Sequence, residues 1–235
     1  MTYKDLFSTS LPTYKSERTD LKFYYRPNTS DIKTIMEVVE RNVYQKKYFK
    51  IDSNEHWIDL GGNIGAFTVL VASLGSTVDV YEPCKEHCNL IEMNLKLNGL
   101  NANIINKAVV FDDRKETEFY ININGNTWRN SIVKNWKSSH YKVDCVNFKE
   151  VLNSDSCCKM DIEGAEMEIL ERLDFPLKKL VAEWSFDIDN NIDRYRNVVS
   201  KLRNIYKNVH ASEIKSEHKV WLKSWFPPCK NIYCY

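Results

Sequence analysis

The run Trp57–Ile58–Asp59–Leu60–Gly61–Gly62–Asn63–Ile64–Gly65–Ala66–Phe67 declares the architecture of this chain. An apolar segment reaches Asp59 and breaks into a loop with three glycines. It resumes as the helix-permissive run Phe67–Leu74, which Gly75 closes. This pattern reads as strand, tight turn and helix. Glycine lacks a Cβ, so such a turn lets a ligand lie against bare backbone. The next strand, Thr77–Val78–Asp79–Val80–Tyr81–Glu82, ends in an acid seventeen residues after Gly65. In nucleotide-binding α/β folds an acid at that strand end grips ribose hydroxyls. Together the turn and the acid point to an adenosine cofactor.

Which cofactor follows from the spacing. The dinucleotide fingerprint is G-x-G-x-x-G, and the place of its second glycine, counted from Gly61, is taken by Asn63. No Gly-Lys-Ser/Thr follows, which excludes a P-loop. The arrangement D-x-G-x-x-x-G, Asp59 to Gly65, suits S-adenosyl-L-methionine (SAM), whose tail is an amino acid rather than a phosphate. The bland alternative is a glycine turn that binds nothing, and the placement of Glu82 weighs against it.

A chain of 235 residues is long enough for one self-sufficient α/β core. Its net charge is +1 with acids and bases interleaved, so a nucleic-acid partner is not expected. No run approaches the roughly 18 apolar residues of a membrane-spanning helix. The start, Met1–Thr2–Tyr3–Lys4–Asp5, lacks the apolar stretch of a signal peptide. The seven cysteines show no zinc spacing and read as reduced packing thiols of a cytoplasmic protein. Oligomeric state is not legible.

Residues 1–50 read as an arm and a helix laid on the domain formed by 51–235. Residues 1–28 are expected to be irregular. Ser30 and Asp31 open a helix with Ile32, Ile35, Met36, Val39 and Val43 on one face. Further helices are expected over about 85–97, stopped by Asn98–Gly99, and over 148–152, 163–173 and 189–205. Strands are expected at 103–105, at 108–110, over 117–123 before the Asn124–Gly125 turn, and at 141–146, 157–162 and 180–184. Residues 206–213 and 231–235 read as a terminal antiparallel pair. Alternating strands and helices predict an α/β, doubly wound, mostly parallel seven-stranded sheet with a terminal antiparallel hairpin, the Rossmann-like class I methyltransferase form. Ligands in such sheets bind outside the carboxyl ends of the strands. Asp59, Glu82, Asp161 and Glu183 all fall at or near those ends.

Two runs resemble the signatures of the FkbM-type SAM-dependent O-methyltransferases. They are Ile58–Asp59–Leu60–Gly61–Gly62–Asn63–Ile64–Gly65 and Lys159–Met160–Asp161–Ile162–Glu163–Gly164–Ala165–Glu166. Arg26–Pro27–Asn28–Thr29–Ser30–Asp31 with Tyr44, and Tyr81–Glu82–Pro83, resemble two further segments of that family. The likeness covers about residues 25–185, and the second signature is its specific part. Gly62 stands where the family often has Ala, and Trp184 where His is frequent. The resemblance implies O-methyl transfer.

The expected roles follow. Gly61, Asn63 and Gly65 shape the turn under the cofactor tail, and Asp59 orders water or the ammonium group. Glu82 bridges the ribose hydroxyls. The fold implies that adenine lies near Lys107 and Ala108. Arg26 and Ser131 close over SAM from flanking segments. Asp161 is the first candidate for the base and Glu183 the second; alternatively the two share a divalent cation, Mg2+ or Mn2+. Glu163 and Glu166 read as caps on a helix start, where the dipole favours acids. His56 and His140 read as bland. Trp221, Trp225 and Phe226 form either a sugar platform or a packing lid. The acceptor is expected to be a sugar hydroxyl of a glycan or glycosylated small molecule, a deoxyhexose such as rhamnose among the candidates. RNA ribose 2′-O-methylation and a silent SAM-binding module are the alternatives.

Overall fold

A computed structural model describes residues 11–122, 125–135, 139–214 and 229–235. The N-terminal part forms a short hairpin, β1 (Thr13–Lys15) and β2 (Lys22–Tyr24), where an irregular arm was expected. Then come α1 (Asp31–Ile35), β3 (His56–Leu60), α2 (Ala66–Ser73), β4 (Thr77–Tyr81), α3 (Lys85–Leu97) and β5 (Asn103–Ile105). A side sheet follows from β6 (Ala108–Val110), β7 (Glu116–Ile121) and β8 (Ser139–Asn147). The chain continues with α4 (Phe148–Val151), β9 (Cys157–Met160), α5 (Ala165–Arg172), β10 (Lys179–Ser185), α6 (Ile192–Ile205), β11 (Val209–His210) and β12 (Cys229–Cys234).

Among the described residues, the main sheet has seven strands in the order β11-β12-β10-β9-β3-β4-β5. The pairs β3–β4, β3–β9, β4–β5 and β9–β10 are parallel. Only β12 runs against its neighbours. It pairs with β11, as the expected terminal hairpin, and it also inserts beside β10. This is the Rossmann-like class I methyltransferase sheet. Chain order reverses at β3, whose two neighbours are β4 and β9, and the ligand crevice opens at the carboxyl ends there.

Period-two alternation explains the two cores. Ile58 and Leu60 of β3 face α5 and α6, with Met167, Leu170, Val198 and Leu202. Trp57 faces the other way, toward α2, α3 and the N-terminal segment, with Phe67, Val71, Ile91, Phe23 and Ile35. By the same parity Asp59, Lys159, Asp161 and Glu183 belong to the second face.

The helix expected through Val43 is different in detail. After α1 it widens into a π turn over Met36–Glu40, where the Arg41 amide donates to the Met36 carbonyl at 2.9 Å. π turns accommodate an extra residue and recur at functional sites. This one turns Met36, Glu37 and Arg41 toward the crevice. Among the described residues, no helix is long and apolar enough to cross a membrane. The region of Trp221, Trp225 and Phe226 lies outside the described residues.

Candidate active site

The glycine turn is built as its sequence suggests. Gly61 has φ +84°, Asn63 +49° and Gly65 +84°. A Cβ on Gly61 would lie 1.9 Å from the Asp161 carbonyl oxygen. Only glycine therefore lets the turn lie against the end of β9. A Cβ on Gly62 would meet side chains instead, Val80 Cγ2 at 2.3 Å and Ile91 Cδ1 at 2.8 Å.

Glu82, 4% exposed, sits just past β4 and braces the turn. One carboxylate oxygen accepts the Asn63 amide at 2.8 Å and the other accepts the Cys84 amide at 2.8 Å. His87 Nδ1 lies 3.4 Å from the latter oxygen. A carboxylate offers about four acceptor sites, so lone pairs remain for ligand hydroxyls. Among the described residues, Asn63 Oδ1 and His87 Nε2 are buried without a hydrogen-bond partner, and both residues line the cavity in front of the turn. Unpaired buried polar atoms are costly, which fits a wall meant to be covered by a polar ligand.

That cavity measures about 1260 Å³. Single-ligand pockets run to about 300–1,000 Å³, so it has room for a cofactor and an acceptor together. Gly61, Gly62, Asn63 and Glu82 line it, as do Lys107 and Ala108, the residues expected near adenine. Glu37, Tyr44, Asp161, Glu163 and Glu183 also line it, together with Cys229 of β12.

The acids raise one another's proton affinity. Burial, then the Asp161 charge, pushes Glu183 well above the usual carboxylate range. Burial, then Asp161 and Glu183, does the same to Glu163. Glu37 is raised by burial and Asp161, with Arg41 opposing. Glu166 is pushed up to about 7, chiefly by burial. The Tyr44 hydroxyl donates to Asp161 Oδ2 at 2.8 Å, and burial plus the adjacent acids hold that phenol protonated. One Asp161 oxygen is thus held by protein.

The two expected caps behave differently. Glu166 accepts the Gly164 amide at 2.7 Å, a helix-start contact. Glu163 does not cap; it adopts φ +53°, a costly conformation for a residue with a side chain, and lines the cavity.

Several expected residues do not face the cavity. Asp59 is fully buried, accepting from Thr68 Oγ1 at 2.6 Å and pairing with Lys159 Nζ at 3.2 Å. Gly65 starts α2 against Ile91. Arg26 is buried in a two-pronged ion pair with Asp31, at 2.8 and 2.7 Å. Thr127 donates to the same Asp31 carboxylate at 3.0 Å, and the Ser30 amide donates to the Gly125 carbonyl at 2.8 Å. The Arg26–Asp31 segment is therefore a pillar under the 125–130 loop, and it is that loop, through Thr127 and Trp128, that walls the cavity. Ser131 is buried, donating to the Glu163 carbonyl at 2.6 Å and accepting the Val133 and Lys134 amides. His56 pairs with Asp79 at 3.0 Å, and His140 lies 3.8 Å from Glu118, both away from the cavity.

Sequence reasoning assigned no role to Lys159, Glu37 or Tyr44, although Lys159 and Tyr44 stand in segments that carry the family resemblance. A lysine inside the buried strand Cys157–Met160 was a readable signal, since lysine is rarely buried unpaired. Glu37 depends on the π turn and left no trace in the pattern.

For metals, the only described group of three potential ligand atoms within 4.8 Å of one another is Glu82, Cys84 and His87. Burial pushes the Cys84 thiol far up, against the thiolate a metal needs. No third ligand of that kind joins Asp161 and Glu183 among the described residues.

Residues 59–209 match the family described as the methyltransferase FkbM domain. No curated protein matches the chain. Several solved structures are similar. Precorrin 8W decarboxylase from Methanobacterium thermoautotrophicum is 14% identical, covering 78% of this chain and 83% of its own, with a TM-score of 0.43. TYW2 of M. jannaschii, in complex with AdoMet, is 15% identical, covering 95% and 83%, with a TM-score of 0.47. The tRNA (uracil-54, C5)-methyltransferase of Pyrococcus abyssi, in complex with S-adenosyl-L-homocysteine, is 12% identical, covering 94% and 43%, also at 0.47. Likenesses this distant carry no argument about the acceptor.

Proposed function

Because the chain belongs to the methyltransferase FkbM domain family, we propose that it transfers a methyl group from SAM to a sugar hydroxyl of a glycan or glycosylated small molecule. The observation that carries this reading is one cavity with the Glu82-braced glycine turn and a group of carboxylates, Asp161 and Glu183 foremost, on its walls.

The residues divide the work. Glu82 accepts the ribose hydroxyls with the lone pairs its backbone contacts leave free. Gly61 and Asn63 present bare backbone to the amino-acid tail, and Lys107 and Ala108 border adenine. Bound SAM supplies an electrophilic methyl carbon on a cationic sulfur. Asp161, one oxygen held by Tyr44, takes the proton of the acceptor hydroxyl as the new C–O bond forms. Glu183, whose proton affinity is raised by burial and by the Asp161 charge, hydrogen-bonds the same acceptor. Holding the two reactants in line supplies up to about 7–11 kcal/mol of the barrier, and a placed base about 10²–10⁴-fold in rate.

Carboxylates suit a polyol, whose hydroxyls they accept, and repel a phosphodiester. A shared divalent cation on Asp161 and Glu183 is not part of this reading, since among the described residues no third His, Cys, Asp or Glu ligand atom joins them. The test is a panel of methyl glycosides, glycosylated small molecules and RNA, incubated with radiolabelled SAM with and without EDTA. Label on a glycoside that survives EDTA supports the proposal. Label on RNA alone would replace it with ribose 2′-O-methylation. Cofactor binding without label on any acceptor would favour a silent binding module.

A further inference from the structure

Lys159 has no part in the proposed transfer, yet it is among the most tightly held side chains near the cavity. Strand register explains its surroundings. Asp59 and Lys159 are partners in the adjacent parallel strands β3 and β9, so their side chains stand together on one face. Asp161 follows two residues later, on the same side. Lys159 Nζ lies 2.7 Å from the Gly61 carbonyl, 3.2 Å from the Leu60 carbonyl and 3.2 Å from Asp59 Oδ1. The ammonium donates hydrogen bonds to the two carbonyls, whereas the Asp59 contact is an ion pair without hydrogen-bond geometry. Burial works against the charge, but the Asp59 and Asp161 carboxylates outweigh it and hold the lysine protonated. The two carbonyls belong to the point where the chain leaves β3 and begins its turn. The Leu60 carbonyl also accepts the Asp161 amide at 3.1 Å. One ammonium therefore spans both signatures of the sequence.

We infer that Lys159 is a positioning residue: it clamps the carbonyls of the glycine turn to the end of β9, fixing the cofactor-binding backbone relative to Asp161 before any ligand arrives. The inference rests on the assignment of the turn to SAM. The competing role is that of a plain counter-charge for buried Asp59. The two roles part when Asp59 is made neutral. A counter-charge is then superfluous, whereas a clamp acting through Leu60 and Gly61 is still needed.

The experiment is a double-mutant cycle read by calorimetric titration with S-adenosylhomocysteine, at a temperature well below each variant's melting point. The proteins are wild type, Asp59→Asn, Lys159→Met and the double variant. Asp59→Asn keeps the carbonyl bonds and is expected to bind within about threefold of wild type. Lys159→Met and the double variant are expected to bind about tenfold weaker or worse. The double variant should melt closer to wild type than Lys159→Met, because it no longer buries an unpaired carboxylate. If Lys159→Met does not fold, the double variant alone decides. Wild-type affinity in the double variant overturns the clamp, and so does an Asp59→Asn loss as large as that of the double variant. A wild-type protein that binds no S-adenosylhomocysteine instead removes the cofactor assignment beneath the inference.

Discussion

Replacing Glu82 with glutamine changes almost no volume and removes one charge, so its effect can be worked from two contacts. Each carboxylate oxygen accepts a backbone N–H at 2.8 Å, from Asn63 on one side and Cys84 on the other. A glutamine has one carbonyl oxygen. Whichever way it turns, its NH₂ faces a backbone N–H that has lost its acceptor. A hydrogen bond to a charged group contributes about 1.5–3 kcal/mol, and a buried donor left unpaired costs about 1–3 kcal/mol. The remaining bond also becomes a neutral one. Stability should therefore fall by about 2–4 kcal/mol in urea denaturation. Binding suffers through the same atoms, since the Asn63 end of the turn loses its brace and the ribose hydroxyls lose an anionic acceptor. A loss of about 1.5–3 kcal/mol corresponds to roughly 10–150-fold in Kd for S-adenosylhomocysteine, measured by calorimetry. Affinity within twofold of wild type in a folded Glu82→Gln protein would refute the ribose assignment, whatever the effect on stability.

Gly61→Ala should be far worse than Gly62→Ala in both stability and S-adenosylhomocysteine affinity. The first drives a methyl group into the Asp161 carbonyl at φ +84°, the second only against Val80 and Ile91 side chains, and equal melting temperatures would contradict the geometry. Asp161→Asn should bind S-adenosylhomocysteine normally while losing transfer by about 10²-fold or more; full activity would pass the proton to Glu183. Glu166 has its folded pKa raised from 4.5 to about 7, so the folded protein holds a proton there that the unfolded chain releases. Its contribution therefore erodes as pH rises from about 4.5 and levels off above about 7. Denaturation midpoints of Glu166→Gln should thus gain on wild type across that interval, and a constant gap would show that the group titrates normally.

The central strands and the glycine turn were legible because each carries its own local signal. Alternation marks β4, a glycine-broken apolar run marks β3, and Asn98–Gly99 closes α3, with Gly99 at φ +66°. The second signature located Asp161 and Glu163 at the mouth of β9 for the same reason. What the sequence hid depended on partners distant along the chain. Arg26 looked like a ligand-facing cation, but five residues on lies Asp31, and the pair is buried together. Asp59 looked like a cofactor ligand, yet strand register sets it beside Lys159. The π turn at Met36–Glu40 continues the apolar periodicity of a helix, so nothing in that pattern announced that Glu37 would swing into the cavity. The side sheet was read as three separate strands, and only pairing across the 122–139 connection joins them.

The decisive measurement is calorimetric titration of the wild-type protein with S-adenosylhomocysteine, repeated in competition with SAM. Saturable binding at one site per chain, displaced by SAM and weakened in Glu82→Gln, is the predicted result. A folded protein that gives no heat and no thermal shift with either compound at millimolar concentration would contradict the account at its root.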